Sequence, residues 1–391
     1  MSRNIESNIW KLFVIKGLRW FLVAMPIIIL FFQETGLSLF EIMILQSSYS
    51  VIVACMEIPS GFFADILGRK KSLIIGAFLS FFGFSIISLS FDFWQFMIAQ
   101  ILLGVGQSFI SGSDSALLYD TLISTNKTDS YDKIEGKSYG IGNFSEAIAG
   151  ILGGILAATS LRFPWYAQTG VAFLVIPFAF SLIEPQLNIK NKIERSYKSV
   201  LKIVKFSIFD NHKLRGLIFL SSAIGMATLS AAWFAQPYFS LIDLPIKWFG
   251  IIWAILNLTA GFSSVNSYRL TSIIDHKTKL YLISIILGFC FVSLSFVESY
   301  FGLVFLILIY IMRGLATPTL YNLINKETSS DIRATVLSVR SFFIRISFAI
   351  IAPIIGWITD NGTLSSGLFV LGILTVMFSC LALWKTDLSD N

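Results

Sequence analysis

Apolar residues fall in twelve long runs along this chain, and short polar stretches separate each run from the next. A run of about 20 apolar residues is long enough to cross a bilayer as a helix. Inside a bilayer the backbone polar groups must bond within the protein, so each run is predicted to be helical. The predicted spans are residues 9–32, 38–63, 71–91, 94–124, 137–160, 163–183, 214–241, 247–270, 278–297, 300–326, 334–358 and 364–384.

The two halves of the chain repeat one pattern. Residues 111–122 match residues 313–324, and Gly154 matches Gly356 at the same separation. Internal repeats of this kind are typical of membrane proteins built from two similar halves. The sequence therefore predicts an all-α integral membrane protein whose twelve transmembrane helices form two pseudo-symmetric six-helix bundles. The bundles are predicted at residues 1–183 and 213–391.

A polar, basic linker at residues 184–212 joins the two predicted bundles. Apolar residues recur in it at helical spacing, and lysines lie between them. The apolar positions are Tyr197, Val200, Leu201, Val204 and Ile208. This pattern predicts an amphipathic helix on the inner leaflet of the membrane. An ordinary tether between the bundles fits the same pattern equally well.

Composition agrees with a membrane protein. Hydrophobic residues make up 55% of the chain, charged residues make up 13%, and the mean hydropathy is +0.77. A soluble domain carries about 25% charged residues. With twelve spans in 391 residues, only short loops remain, and the bilayer is the predicted environment.

The net charge of +6 is a signal of topology. Lysines and arginines concentrate in the N-terminal segment, the C-terminal segment and alternate loops, whereas the remaining loops carry only Arg162 and Lys247. Basic loops mark the cytoplasmic side of a membrane protein. We therefore expect a multi-pass protein of the cell inner membrane with both termini in the cytoplasm, and we expect no nucleic-acid partner.

No catalytic or metal site emerges from the sequence. Cys55, Cys290 and Cys380 all fall in apolar runs and lack the spacing of metal ligands or of a disulfide framework. The two histidines, His212 and His276, lie in predicted loops, and no glycine-rich loop with lysine could bind a nucleotide phosphate. The chain is expected to be neither an enzyme nor a cofactor-binding or metal-binding protein.

The segment from Gly61 to Lys71 carries the most specific motif. It reads Gly-Phe-Phe-Ala-Asp-Ile-Leu-Gly-Arg-Lys-Lys between the second and third spans. It resembles the motif between helices 2 and 3 of the major facilitator superfamily, with every fixed position filled. Residues 57–60, Glu-Ile-Pro-Ser, and residues 111–120 resemble a bacterial subgroup of that superfamily.

The resemblance implies a secondary carrier that works by alternating access. It also implies a conformational charge cluster that stabilises the outward-facing state. The residues carried over to that cluster are Asp65, Gly68, Arg69, Lys70 and Asp120.

Two departures separate the chain from drug:proton antiporters of the superfamily. Gln100 stands where those proteins carry an arginine four residues before Gly104. Residues 149–154, Ala-Gly-Ile-Leu-Gly-Gly, keep the glycines of the motif in the fifth helix but lack its proline. Multidrug efflux is therefore the alternative function and not the first expectation.

Ionisable residues inside the predicted spans are candidates for binding, because each costs about 2.5–3.5 kcal/mol to insert. The first half carries Arg19, Glu57, Asp114 and Glu146, and the second half carries Arg313, Arg340 and Arg345. In the superfamily, the helices that carry these residues line or flank a central cavity. We expect an acidic wall and a basic wall, with Arg19, Glu57, Asp114 and the three second-half arginines binding an anionic, zwitterionic or amphiphilic solute.

Other interpretations of the same residues stay open. Arg19 could pair with Glu57 or Asp114 for structural reasons, and Arg340 could reach the polar end of its helix. Trp233 and Gln236, beside Pro237, are predicted to line the cavity, although core packing explains them equally well.

Proton coupling requires a group that titrates, and both histidines lie outside the spans. Asp114 and Glu146 are the predicted coupling residues, and sodium remains an alternative coupling ion. The expected function is proton-coupled transport of a small organic solute by a monomer. A membrane sensor that has lost transport is a further alternative.

Overall fold

The computed structural model describes residues 5–185, 197–268, 274–329 and 332–384. Within these residues, twelve helical segments are long and apolar enough to cross a membrane, which confirms the all-α class and the number of spans. The helices are α1 Asn8–Trp20, α2 Ile28–Glu34, α3 Leu39–Leu67, α4 Arg69–Leu89, α5 Phe93–Ile110, α6 Ser113–Ser124, α7 Tyr131–Ala157, α8 Phe163–Ser181, α9 Tyr197–Lys205, α10 His212–Leu241, α11 Phe249–Val265, α12 His276–Phe296, α13 Gly302–Lys326, α14 Arg333–Asn361 and α15 Leu364–Trp384.

The chain divides into two compact units. Unit 1 comprises Met1–Leu37, Ser48–Lys192 and Pro245–Ala254. Unit 2 comprises Ser38–Ser47, Ile193–Leu244 and Ile255–Asn391. Each unit therefore combines most of one half of the sequence with one short segment of the other half.

The core of unit 1 lies between α1, α4, α6 and α8. Leu12, Ile15, Leu73, Leu117 and Ala179 are each at most 4% exposed and belong to one buried cluster. Fully burying a large apolar side chain contributes about 1.5–3 kcal/mol relative to an exposed one. This cluster fixes α1 and α6, the helices that carry Arg19 and Asp114.

The core of unit 2 is organised around α10, which packs against α13, α14 and α15. In the most apolar 18-residue stretch of α10, 83% of the residues are buried, whereas 22% are buried in the corresponding stretch of α14. Beside it, α12 and α15 cross closely, because a Cβ atom on Gly288 would lie 2.1 Å from a methyl group of Val376. A glycine is required there for the helices to approach.

The glycines that the repeat pairs have equivalent packing roles. In unit 1, a Cβ on Gly154 would lie 3.0 Å from the carbonyl oxygen of Lys247. In unit 2, a Cβ on Gly356 would lie 2.9 Å from the Cα atom of Phe40 and 3.0 Å from the carbonyl oxygen of Leu39. Both positions thus allow a neighbouring backbone to come close.

One predicted boundary differs clearly from the structure. Helix α7 begins at Tyr131, although the fifth span was predicted to begin at residue 137. Its first turns are polar, but Tyr131 packs edge-on against Tyr119 with ring centroids 5.1 Å apart. Tertiary contacts therefore extend the helix beyond its apolar window, which the sequence pattern alone does not register.

The linker contains a helix, α9, followed by a π-helical turn at Phe206–Asp210. Lys202 and Lys205 are exposed, whereas Val204 and Ile208 are half-buried. Residues 186–196 of the predicted linker lie outside the described residues. The position of the helix on a membrane leaflet stays a prediction.

Candidate functional site

The first predicted span is interrupted. Helix α1 ends at Trp20, and α2 begins at Ile28 after a 3-10 turn at Met25–Ile27. At the break, the backbone N–H of Val23 donates to the Oε1 atom of Gln168 at 2.8 Å. A Cβ on Gly153 would lie 2.0 Å from the carbonyl oxygen of Val23. Gln168 therefore replaces a helical partner, and Gly153 makes room for the displaced backbone.

The fourth predicted span is also interrupted, between α5 and α6. Gly112 has φ of +78°, a left-handed conformation that glycine adopts without a steric penalty. The carbonyl oxygen of Phe109 accepts from the hydroxyl of Ser72 at 2.6 Å and from that of Ser113 at 2.9 Å. Serine hydroxyls thus satisfy a backbone group that the break releases from the helix.

Three charges meet where these breaks lie. The Asp114 carboxylate accepts from Arg19 at 3.0 Å and from Lys16 at 3.2 Å. Arg19 also donates to Gln107 at 3.0 Å. The three charged side chains are only 12–15% exposed, so bulk water screens them weakly. The cluster carries two positive charges and one negative charge.

Helix termini favour this arrangement of charges. Arg19 lies in the last turn of α1, and Asp114 lies in the first turn of α6. The C-terminal end of a helix attracts cations and the N-terminal end attracts anions. The breaks therefore supply two favourable helix ends within the length of the spans, which continuous helices would not do.

The structure selects one of the pairings left open for Arg19, because its carboxylate partner is Asp114. Lys16 was missed by the sequence analysis. Its spacing from Arg19 placed both on one helix face and could have signalled a shared partner. Glu57 and Glu146 are half-buried on α3 and α7.

The arginines of unit 2 have a different environment. Arg313 lies on α13, whereas Arg340 and Arg345 lie on α14. Both helices continue past these residues without a break. Within the described part of unit 2, no carboxylate oxygen lies within 4.0 Å of any of the three. Two of the three arginines lie over aromatic rings instead. The guanidinium carbon of Arg340 lies 4.5 Å from the centroid of the Tyr321 ring, and that of Arg313 lies 5.6 Å from the centroid of the Tyr310 ring.

The two predicted lining residues of α10 are buried. Trp233 is 8% exposed and Gln236 is 1% exposed. Both lie on the helix at the centre of unit 2, close to Pro237. Their role in binding a solute stays a prediction.

The structure brings together most of the predicted conformational cluster. Gly68 has φ of +98° and turns the chain between α3 and α4. Arg69 Nε lies 2.6 Å from an oxygen of Asp120, whereas its distance to Asp65 is 3.8 Å. Lys70 contributes its backbone N–H, which donates to Glu184 at 2.7 Å.

Glu184 is a member of this cluster that sequence analysis missed. Its two carboxylate oxygens accept from the backbone N–H groups of Arg69 at 2.9 Å and Lys70 at 2.7 Å. It therefore caps the N-terminus of α4 from the far end of the sixth span. No motif marks the position, and only the fold brings it next to Gly68.

In the corresponding turn of unit 2, the helix is capped by the residue that directly precedes it. Asp275 precedes α12 and accepts from the backbone N–H of Thr278 at 2.9 Å. This hydrogen bond holds the pKa of the Asp275 carboxyl below its usual value. Unit 2 thus achieves with a local aspartate what unit 1 achieves with the distant Glu184.

Comparisons with known proteins agree with this architecture. The sequence profile of the Major Facilitator Superfamily matches residues 12–350. An uncharacterised MFS-type transporter of Methanocaldococcus jannaschii is 22% identical over 239 residues, which is 60% of each chain. An uncharacterised transporter of Buchnera aphidicola is 29% identical over 174 residues, or 44% of this chain and 43% of that one.

A vacuolar membrane amino acid uptake transporter of Schizosaccharomyces pombe is 25% identical over 186 residues, or 48% of this chain and 29% of that one. The chain therefore spans 60% or less of the length of these curated relatives.

Solved structures of other transporters share the fold. A crystal structure of a mutant of the nucleoside transporter NupG has a TM-score of 0.83 and 15% identity, and the match covers 97% of this chain and all of that one. A POT family transporter in complex with 5-aminolevulinic acid has a TM-score of 0.72 and 13% identity, covering 95% and 94% of the two chains. At such identities the similarity establishes the fold alone.

Proposed function

The chain belongs to the major facilitator superfamily, and from this premise we propose that it is a secondary transporter of a small organic solute with an anionic group. Carboxylates, zwitterions and anionic amphiphiles are the substrate classes. The solute crosses by alternating access, with its site open to one side of the membrane at a time. The amino acid transporter among the relatives is compatible with this choice, because amino acids carry a carboxylate.

One observation carries the proposal. Arg313 and Arg345 lie within apolar helices, and no described carboxylate of unit 2 lies within 4.0 Å of them. A charge inside a span costs several kcal/mol unless a partner or water compensates it. A bound anion would supply that partner through charge-assisted hydrogen bonds, for which the guanidinium group is well suited.

The environment of Asp114 weighs against efflux of lipophilic cations. Such substrates need an uncompensated acidic side chain, but Lys16 and Arg19 already neutralise Asp114 and leave the cluster with an excess positive charge. The cluster therefore adds to the attraction for an anion. Arg19 binds the solute when its contact with Asp114 loosens. Glu57 in unit 1, and Arg340, Trp233 and Gln236 in unit 2, are the further binding residues of this proposal.

We propose that protons drive the transport through Asp114 and Glu146. Protonation of Asp114 would remove the charge that pairs with Lys16 and Arg19, and the freed cations would then attract the solute anion. The orientation follows from the basic loops, so that both termini lie in the cytoplasm and the inner membrane is the location. The turn at Gly68, with Arg69 and Asp120, stabilises one end state.

A binding screen by thermal shift tests the substrate class. Small carboxylates should stabilise the protein, and lipophilic cations should not. Arg313→Gln and Arg345→Gln should each weaken binding of a carboxylate hit about tenfold or more, because each removes a hydrogen bond from a charged group. Lys326→Gln is the control, since Lys326 is exposed at the end of the same helix as Arg313.

Unchanged affinity in both arginine variants would remove the proposed anion site. Stabilisation by lipophilic cations that depends on Glu57 would instead support efflux. For the coupling step, Asp114→Asn or Glu146→Gln should flatten the pH dependence of uptake into liposomes. A pH dependence unchanged in both variants would refute their coupling role.

A further inference from the structure

A groove in unit 2 is lined by none of the residues assigned to transport. Its volume is about 680 Å³, and α10, α14 and α15 line it. Its floor is formed by buried residues of α10, including Ala223 and Met226. Its rim includes Ile350, Phe378 and Leu381, which are 58%, 39% and 48% exposed. Exposed apolar side chains on membrane-spanning helices are suited to contact with lipid, and we infer from this rim that the groove opens toward acyl chains.

The dimensions of the groove match a lipid chain. Its lining residues on α10 extend from His212 to Met226. At 1.5 Å per residue, this stretch is about 21 Å long. The hydrocarbon region of one leaflet is about 15 Å deep, half of the ~30 Å core. An acyl chain in one leaflet can therefore lie along most of the groove, with its head group near the start of α10.

The start of α10 provides a cationic end to this apolar groove. Arg215 and His212 both line it, and the Nη2 atom of Arg215 lies 2.6 Å from the Nδ1 atom of His212. A guanidinium group only donates hydrogen bonds, so Nδ1 accepts and the imidazole proton lies on Nε2. That proton and the remaining guanidinium donors are available to an anion.

Arg215 makes no ion pair with a described carboxylate. Among the residues that the structure describes, no carboxylate oxygen lies within 4.0 Å of it. The adjacent helix α9 adds the exposed Lys202 and Lys205 to the same end of the unit. This end of the groove is therefore complementary to a negative group.

We propose that the groove binds one anionic phospholipid, with its phosphate at Arg215 and His212 and one acyl chain along α10. Basic pockets between transmembrane helices are suited to phospholipid head groups, and arginine is suited to phosphate. A small water-soluble anion would leave the apolar length of the groove uncovered. The bilayer that surrounds the helices supplies the lipid directly.

Native mass spectrometry of the full chain tests this proposal. The protein is purified with an equimolar mixture of phosphatidylglycerol and phosphatidylethanolamine, and one phosphatidylglycerol is expected to remain bound. Arg215→Gln should reduce its affinity about fivefold, which corresponds to the contribution of one cation near the membrane surface. Lys277→Gln should leave it unchanged, because Lys277 is an exposed cation of the same unit outside the groove.

A second variant tests the groove without altering a charge. Ser347→Phe places a ring among the lining residues and should also reduce retention of phosphatidylglycerol. If thermal denaturation shows that Arg215→Gln does not fold, the Ser347→Phe variant alone tests whether the groove binds the lipid.

Three results would overturn the proposal. The first is equal retention of both phospholipids, and the second is unchanged retention in both groove variants. The third is displacement of the lipid by glycerol phosphate, which has the head-group charge but no acyl chain, because a soluble anion would then be the occupant.

Discussion

Gly112 and Gly314 occupy matching positions of the internal repeat, yet they serve opposite structural purposes. Gly112 has a left-handed backbone and interrupts its span between α5 and α6. Gly314 lies within the continuous helix α13, where a Cβ would lie 2.3 Å from the carbonyl oxygen of Ala260. One glycine breaks a helix, and the other allows a helix to pack closely.

The charges next to these glycines differ in the same way. In unit 1, Asp114 follows the break and holds Lys16 and Arg19. In unit 2, Arg313 precedes Gly314 on an unbroken helix, with no described carboxylate partner in its unit. The two halves thus hold charge differently. Charges paired with a carboxylate and charges without one in their unit should respond differently to substitution.

The largest effect is expected from Asp114→Asn, which leaves two weakly exposed cations without their acid. Breaking a buried ion pair costs about 3–5 kcal/mol in the free energy of unfolding. Adding Arg19→Gln should recover part of the loss, because it removes one of the orphaned charges. Arg345→Gln should cause no loss of stability, since it leaves no carboxylate of unit 2 unpaired and removes a charge from within a span. Thermal denaturation in detergent measures all three, and equal losses in both units would contradict the comparison.

The next largest effect is expected from Gly314→Ala. The added methyl group would overlap the backbone of Ala260, and overpacking of this kind costs about 1–3 kcal/mol. Larger side chains at residue 314 should cost progressively more. Gly261→Ala is the control, because a Cβ at that glycine of unit 2 meets nothing within 4 Å. Equal stability of the two variants would show that α13 and α11 do not pack as described.

A smaller and qualitatively different effect is expected at residue 112. A Cβ there meets nothing within 4 Å, so only the backbone conformation opposes Gly112→Ala, at a cost of about 1–2 kcal/mol. Asparagine tolerates a left-handed backbone better than alanine does. Gly112→Asn should therefore be more stable than Gly112→Ala, whereas Gly314→Asn should be less stable than Gly314→Ala. If Gly112→Asn were less stable than Gly112→Ala, as expected for the pair at residue 314, α5 and α6 would form one continuous helix.

The smallest effects are expected at the turn after α3. Asp120→Asn removes the partner of Arg69 at 2.6 Å and should cost about 1 kcal/mol, because this pair is partly exposed to solvent. Asp65→Asn should cost about 0.5 kcal/mol or less, since its distance to Arg69 is 3.8 Å and its side chain is 48% exposed. Denaturation of the two variants side by side gives the order, and a larger loss for Asp65→Asn would reverse the assignment of partners.

Sequence alone predicted the twelve spans well because span length and hydropathy are properties of consecutive residues. It also predicted which charges meet at the turn, because Asp65, Arg69 and Asp120 belong to a recognisable motif. Glu184 was missed because it lies 115 residues after Arg69 and belongs to no motif.

The interruptions were missed for a different reason. An averaged hydropathy window does not register a local change of backbone, and the sequence of residues 21–24, Phe-Leu-Val-Ala, is as apolar as its surroundings. The contact with Gln168, 145 residues away, adds a side-chain acceptor for the Val23 amide there, beyond the local backbone bonds. Long-range partners, which decide such sites, are not encoded in local periodicity.

The contact between Val23 and Gln168 has a consequence for motion in unit 1. An unwound segment is commonly regarded as loose, but here the amide is buried and bonded to a side chain that is 2% exposed. Opening that amide to solvent requires α8 to move as well, so hydrogen–deuterium exchange at Val23 should be as slow as in the adjoining helices. The interrupted segment is then a rigid part of unit 1 and not a hinge.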